Sequence, residues 1–186
     1  MMQIMFPGLF DIPLIFINLI SAYILALSSY KLYKASRLAT DESIKLLFLG
    51  FFMLFSSIVL SLTSFFIGDL FIFSSMVLFS IYLSISGYVL ILLSRLSKIF
   101  AQPLLFPLTY YYAYGEFVAF ILSMILALRS RSYLIITGFL LLSISHLFRF
   151  LIFTTFSPYE IVIVLIAEIL RTIGFLSISI GLGVYR

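Results

Sequence analysis

Residues 46–67, LLFLGFFMLFSSIVLSLTSFFI, form an apolar run without a charged side chain. After Gly68-Asp69 a second such run, LFIFSSMVLFSIYLSISGYVLILLS, extends over residues 70–94. A membrane-spanning helix needs about 20 consecutive apolar residues. Each run is therefore long enough to cross a bilayer, and the Gly-Asp pair between them indicates a tight turn. The stretch predicts two neighbouring transmembrane helices rather than part of a water-soluble domain.

The rest of the chain has the same apolar character. Of its 186 residues, 64% are hydrophobic and 10% are charged, and the mean hydropathy is +1.29. A water-soluble domain has roughly a quarter charged residues, so a soluble fold of this composition would lack a polar surface. We expect one transmembrane domain over residues 1–186, with lipid as its surroundings. The formal net charge of +4 comes from basic residues in loops, and the chain has no basic patch suited to nucleic acid.

Charged and turn residues divide the chain into six predicted spans, which together make an all-α, multi-pass bundle in a cell membrane. The predicted bounds are about 12–32, 44–67, 70–96, 110–128, 132–156 and 158–186. Thr40, Asp41 or Ser43 is expected to cap the second helix. Ser157 is expected to cap the sixth helix, with Pro158 at its first position.

The chain contains a candidate internal repeat. The tetrapeptide ILAL occurs at residues 24–27 and again at residues 125–128, each time before basic residues. Glycine–aromatic pairs then begin at Gly50 and Gly87 in the first half, and at Gly138 and Gly174 in the second. We interpret this as a duplicated three-helix unit, with halves at about 10–97 and 108–186. Three spans carry the chain across the membrane, so the second unit is expected to be inverted, giving a 3+3 inverted repeat.

Six spans leave some basic residues on the wrong side of the membrane. The positive-inside rule places the basic loops after the first and third helices in the cytoplasm and the termini outside. Arg129, Arg131 and Arg186 then lie outside as well. A re-entrant hairpin over residues 99–128 would return all three to the cytoplasm and stays open as an alternative. Residues 95–109 are predicted to form a loop or an interfacial segment.

Small residues form a stripe along each of the second and third helices. Such residues let membrane helices approach closely, which predicts tight packing of this pair. A serine nucleophile would need a neighbouring base, and the first half of the chain offers none. The predicted packing residues are Gly50, Ser57, Ser61, Ser64, Ser80, Ser84 and Gly87.

The second half carries a cluster of ionisable residues inside predicted spans. His146 and Arg149 are spaced i, i+3 in the fifth helix, as are Glu168 and Arg171 in the sixth, so each pair shares a helix face. Glu116 in the fourth helix is expected at a similar depth, near mid-membrane. An ionised residue at the bilayer centre costs roughly 2.5–3.5 kcal/mol, so these side chains should face inward and pair. We expect Glu168 to pair with either arginine, and Glu116 with the remaining arginine or with His146.

This cluster admits two interpretations. A balanced set of charges indicates polar contacts that join helices, whereas His and Glu together also suit a proton or ion relay. The chain has no cysteine and one histidine, and we predict neither a metal site nor a cofactor. No catalytic motif is present, so we do not expect an enzyme. Only Glu116, His146 and Glu168 are placed for acid–base work.

Three local patterns carry a resemblance to other membrane proteins. The first helix ends in YKLYK at residues 30–34, the fifth combines GF at 138–139 with His146, and the sixth contains EILRTIGF at 168–175. In these features the chain resembles small archaeal polytopic membrane proteins of unknown function. The resemblance extends loosely over most of the chain, and it implies an archaeal cell membrane but no activity.

Two functions are expected from the sequence. The first is a non-catalytic membrane subunit or scaffold, whose partners would be the lipid bilayer and either other membrane subunits or further copies of the chain. The alternative is a small secondary transporter, a proton-coupled carrier that uses the Glu/His/Arg cluster.

Overall fold

The computed structural model describes residues 11–38, 41–67, 69–95, 112–154 and 160–184. Over these residues the chain forms six α-helices: α1 (Asp11–Leu38), α2 (Glu42–Ser64), α3 (Leu70–Leu93), α4 (Tyr112–Arg129), α5 (Tyr133–Thr154) and α6 (Glu160–Val184). Within the described ranges, all of these helices except α4 are long and apolar enough to cross a membrane. The protein is therefore an all-helical, multi-pass membrane protein. We refer to α1–α3 as the first unit and to α4–α6 as the second unit.

The first helix is longer than predicted and includes the basic residues that were expected to end it. It continues to Leu38 because Lys34 and Arg37 each lie over a tyrosine ring one turn earlier. The Lys34 ammonium is 4.8 Å from the centre of the Tyr30 ring, and the Arg37 guanidinium is 4.9 Å from that of Tyr33. These cation–π contacts stabilise the last turns of α1.

Aspartates cap the next two helices. Asp41 accepts a hydrogen bond from the backbone N–H of Ser43 at 2.9 Å, and this bond lowers the pKa of its carboxyl group. Asp69 accepts bonds from the backbone N–H groups of Phe71 and Ile72 at 2.9 and 3.1 Å. Both helices therefore start at a residue whose side chain satisfies free N–H groups of the first turn.

The remaining bounds differ from the predictions by a few residues. The second helix ends at Ser64 rather than near residue 67, the third at Leu93 and the fifth at Thr154. Several predicted features lie outside the described residues, namely Gly68 of the predicted turn, the Ser157-Pro158 cap, Arg186 and most of the segment 95–109.

Two serine contacts show that α1 and α6 run in the same direction. The Oγ of Ser21 is 2.7 Å from the Oγ1 of Thr172, and the Oγ of Ser28 is 2.9 Å from the Oγ of Ser179. The second contact therefore lies seven residues after the first on both helices. This is the register of parallel helices.

The third and fourth helices are also parallel. A Cβ atom on Gly115 would lie 2.5 Å from the Cγ2 of Ile81. Fourteen residues later on each helix, Arg129 and Arg95 line the same cavity. A constant offset of 34 residues between α3 and α4 is possible only if both helices point the same way.

These directions correct the predicted topology. In an alternating bundle of six spans, α1 and α6 would be antiparallel, and so would α3 and α4. The expected inversion of the second unit is therefore wrong for the described helices, because α4 points in the same direction as α1.

One end of the bundle, here called the basic end, carries the positive charge. It is the end at which α1, α3, α4 and α6 finish and α2 and α5 begin. Its basic residues are Lys31, Lys34, Arg37, Lys45, Arg95, Arg129 and Arg131. Arg129 and Arg131, two of the arginines that six alternating spans placed on the wrong side, thus lie beside the other basic residues, in agreement with the positive-inside rule.

Each unit contains a hairpin whose helices touch at a pair of glycines. A Cβ on Gly50 would lie 2.8 Å from the carbonyl oxygen of Gly87 and 2.6 Å from the Cγ1 of Ile91. In the second unit, a Cβ on Gly138 would lie 2.7 Å from the carbonyl oxygen of Gly174 and 2.5 Å from the Cγ1 of Ile178. Ile178 follows Gly174 by four residues, as Ile91 follows Gly87. Backbones approach this closely only where no side chain separates them.

The serines of the predicted stripe differ in their contacts. Ser57 joins α2 to α3, because its Oγ is 3.1 Å from that of Ser80 and 2.6 Å from that of Ser84. Ser64 instead donates to the carbonyl of Ser61 within its own helix, at 2.7 Å. The structure thus brings Gly50, Gly87, Ser57, Ser80 and Ser84 to the contact between α2 and α3.

Candidate functional site

Seven polar side chains form one continuous network through the interior of the bundle. In order of contact they are Tyr88, His146, Glu116, Arg149, Glu168, Arg171 and Asn18. Six of them are at most 6% exposed, and the side chain of Arg149 is 18% exposed. All of the described helices except α2 contribute at least one member.

His146 lies between a tyrosine and a carboxylate. Its Nδ1 is 2.6 Å from the Oε2 of Glu116, and its Nε2 is 2.9 Å from the hydroxyl of Tyr88. For a neutral imidazole these partners fix the tautomer, in which Nδ1–H donates to the carboxylate and the tyrosine hydroxyl donates to Nε2. The edge of one ring also faces the other, at 5.5 Å between centres and 85°. Both ring nitrogens are therefore satisfied without water.

Arg149 joins two carboxylates that come from different helices. One of its terminal nitrogens is 3.1 Å from the Oε1 of Glu116 in α4, and the other donates to the Oε1 of Glu168 in α6. The planar guanidinium suits this role because its N–H groups diverge in a fixed fork. The three helices of the second unit are thus joined at a single side chain.

Arg171 carries the network to the first unit. It forms an ion pair with Glu168 three residues earlier in α6, and it donates to the Oδ1 of Asn18 in α1. The Nδ2 of Asn18 in turn donates to the carbonyl of Leu14 at 2.9 Å, which fixes the orientation of the amide. The network therefore contacts the first unit at both of its ends, at Tyr88 and at Asn18.

The charges of the network balance when the histidine is neutral. Two glutamates face two arginines, and each charged group has at least one partner of the opposite sign. A lone charge at this depth would cost roughly 2.5–3.5 kcal/mol, and pairing offsets that cost. The contacts agree with the pairing that the sequence predicts, except that Arg149 serves both glutamates.

The two glutamates lie in the first half of their described helices. Glu116 lies four residues after the start of α4, and Glu168 lies eight residues after the start of α6 and sixteen before its end. Both glutamates are therefore nearer to the end opposite the basic end, and their depth in a bilayer stays a prediction.

Two members of the network lie in the first half, where the sequence points less clearly to chemistry. Asn18 is a lone amide among apolar residues, a pattern that predicts an interhelical hydrogen bond, and it accepts one from Arg171. Tyr88 was read only as the aromatic residue of a glycine–aromatic pair. The sequence does contain a signal for Tyr88. A buried tyrosine inside an uncharged span needs a hydrogen-bond partner for its hydroxyl.

Three buried polar atoms in or beside the network lack a hydrogen-bond partner within the described part of the chain. They are the hydroxyl of Ser145, beside His146, the Nε of Arg171, and the Oε2 of Glu168, which has only its ion-pair contact with Arg171. Unpartnered buried polar groups of this kind are where a bound water or a small polar ligand would be stabilised. In the described residues, no three His, Asp or Glu side chains are grouped in a way that would hold a metal ion.

Comparisons of the chain with protein-family models, with curated proteins and with solved structures found no match.

Proposed function

We propose that the protein is a small secondary transporter of a cell membrane, a proton-coupled carrier built from two duplicated three-helix units that point in the same direction. The observation that supports this most strongly is the position of the network. Its ionisable groups lie in the second unit, and its two ends hydrogen-bond to the first unit through Tyr88 and Asn18. Carriers built from repeats place their coupling residues at the boundary between the repeats.

Matching contacts in the two units support the duplication. Leu54 and Leu142 have the same role in the two glycine hairpins, since each would meet a Cβ built on the second glycine of its pair. The two ILAL copies also match, because Leu25 and Leu126 are both fully buried. In addition, α1 packs on α2 and α6, as α4 packs on α5 and α3. Exchanging the two units therefore reproduces the same set of helix contacts.

The shared direction of the two units fits a known arrangement of transporter repeats. Two three-helix units that point in the same direction are related by an axis along the membrane normal, as parallel repeats are in some transporters.

Proton uptake at His146 would act directly at the boundary between the units. In the neutral state its Nε2 accepts from Tyr88, and in the protonated state the same nitrogen donates to the tyrosine oxygen. The added charge would lie 2.6 Å from the carboxylate of Glu116, which also pairs with Arg149. A proton thus reverses the hydrogen bond that joins α3 to α5 and changes the balance of the network from neutral to positive.

Reconstituted vesicles that contain an internal pH dye test this proposal. A panel of small solutes (amino acids, carboxylates, sugars and inorganic phosphate) is added outside, and coupled proton entry is measured. The wild type is expected to respond to one class of solute, and Glu116→Gln, which removes the partner of the charged imidazole, is expected to abolish the response. The matched control is Asp69→Asn, an equal change at an exposed helix cap. No response to any solute class, or an equal response from Glu116→Gln, contradicts the proposal.

A second candidate is the non-catalytic subunit or scaffold. The balance of charges supports it, because a network in which each ion already has a partner has little reason to move. Gentle extraction followed by native mass measurement distinguishes the two. A stoichiometric protein partner favours the subunit, whereas the chain alone or as a homo-oligomer favours the carrier.

A further inference from the structure

We propose a second site, at the basic end of the bundle, that binds a phosphate group in a cavity lined by Arg95, Arg129 and Arg131. The site is separate from the buried network and does not depend on the carrier proposal. The cavity has a volume of about 600 Å³, and its other lining residues are Ser132, Ile135 and Leu182.

The three arginines converge on this cavity from different elements. Arg95 follows the end of α3, Arg129 ends α4, and Arg131 lies in the connection to α5. The cavity therefore lies between the two units, and like charges are brought together there without a carboxylate among the lining residues. No ion pair of these three arginines occurs within the described ranges. Three cations that share a cavity without a counter-ion repel one another, so an anion bound there would be stabilised.

The least exposed of the three is Arg95, which is half-buried. Partial burial lowers the pKa of its guanidinium, because the charged form has lost part of its water. A basic residue that only had to contact water at the membrane surface would gain nothing from this partial burial. An anion in the cavity would restore to Arg95 the contacts that burial removes.

The start of α5 supplies further donors. Ser132 lies directly before the helix, and its carbonyl accepts from the backbone N–H of Ile136 at 2.8 Å, which closes the first turn. Ser132 and Ile135, from the start of this helix, both line the cavity. Phosphate groups bind where helix N-terminal N–H groups and arginine forks meet.

The apolar part of the lining is suited to an amphiphile. Ile135 and Leu182 form one wall, and Gly181 brings α5 and α6 close together beneath it, since a Cβ there would meet Ile135 at 2.7 Å. The shared chemistry is thus a phosphate mono- or diester. Two sources present this chemistry, a free phosphate compound or the headgroup of an anionic lipid whose chains lie along the wall.

Native mass measurement of the full chain in detergent tests the site, with phosphatidylglycerol and phosphatidylcholine of equal chain length as probes. A parallel arm measures the thermal stability of lipid-free protein as inorganic phosphate is added. The site variant is Arg95→Gln/Arg129→Gln/Arg131→Gln. Its control is Lys34→Gln/Arg37→Gln/Lys45→Gln, which removes the same charge from the same end.

The wild type is expected to retain phosphatidylglycerol over phosphatidylcholine, to be stabilised by phosphate, or both. The site variant should bind at least about tenfold more weakly, and the control should bind as the wild type does. A response to phosphatidylglycerol alone assigns the site to a lipid headgroup, and a response to phosphate assigns it to a free phosphate group. The single variant Arg131→Gln, at an exposed position, serves if the triple variant does not fold. Absence of both responses in the wild type, or an equal loss in the control, overturns the proposal.

Discussion

The hydroxyl of Tyr88 lies 2.9 Å from the Nε2 of His146, and this hydrogen bond joins α3 of the first unit to α5 of the second. Both side chains are buried, at 1% and 4% exposure. The contact thus links the imidazole of His146 directly to the packing of the two units.

The Tyr88→Phe variant tests the hydrogen bond without removing the ring. It leaves the Nε2 of His146 buried without a donor, so the free energy of unfolding should fall by about 1–3 kcal/mol. Denaturation of the purified protein in detergent measures this loss. The control is Tyr82→Phe, at a position 42% exposed on the same helix. An equal effect of the two variants would show that the bond contributes nothing specific.

Glu168→Gln tests the ion pairs of the second unit. The variant leaves Arg171 buried without its acidic partner, and breaking a buried pair from one side costs about 3–5 kcal/mol. Thermal unfolding in detergent should therefore show a large fall in stability. The double variant Glu168→Gln/Arg171→Gln should lose less than the sum of the two single variants, because it removes the orphaned charge. Additive losses would mean that the pair is not formed.

The glycine contacts predict which small residues tolerate a methyl group. Gly50→Ala and Gly138→Ala should each lower the free energy of unfolding by about 1–3 kcal/mol, since the new Cβ would overlap a backbone oxygen. Gly183→Ala is the control, because its Cβ would meet only the end of the Lys31 side chain, at 3.9 Å. Equal stability of all three variants would contradict the close approach of the hairpin helices.

The helix directions predict a labelling pattern that six alternating spans do not. Single cysteines at Ser36 and Tyr133 should react with an impermeant thiol reagent from the same side of the membrane, because both positions lie at the basic end. A cysteine at Asp69 should react from the opposite side. The chain has no native cysteine, so each label reports one position. Labelling of Ser36→Cys and Tyr133→Cys from opposite sides would restore the alternating topology.

Much of the architecture follows from sequence because the bilayer imposes simple rules. The lengths of the apolar runs predict the helices, and the cost of burying charge predicts that Glu116, His146, Arg149, Glu168 and Arg171 meet. The spacing of Gly50 and Gly87, compared with that of Gly138 and Gly174, indicates the matching hairpins. In each of these cases, one contribution to the free energy outweighs the others, and the residue pattern shows which one it is.

The direction of the second unit was not predictable in the same way. Alternation is inferred by counting connections, so one misread connection reverses every later helix. The signal that contradicted six spans was electrostatic, namely Arg129 and Arg131 on the wrong side. The role of Tyr88 was not predictable for a related reason, since it depends on which helix of the second unit lies opposite α3.

The carrier proposal requires water to reach the network during a transport cycle, and the reaction of a cysteine at Ser145 with a small impermeant thiosulfonate tests this requirement. Ser145 is fully buried beside His146, and its hydroxyl has no partner within the described chain. A carrier populates its open state at roughly 0.1–10%, so Ser145→Cys should react at about that fraction of the rate of exposed Tyr133→Cys. The matched control is Ser57→Cys, which is buried between α2 and α3 and should stay unreactive. Reaction of Ser145→Cys alone agrees with the carrier, whereas no reaction until the protein unfolds would contradict it and leave a static membrane scaffold.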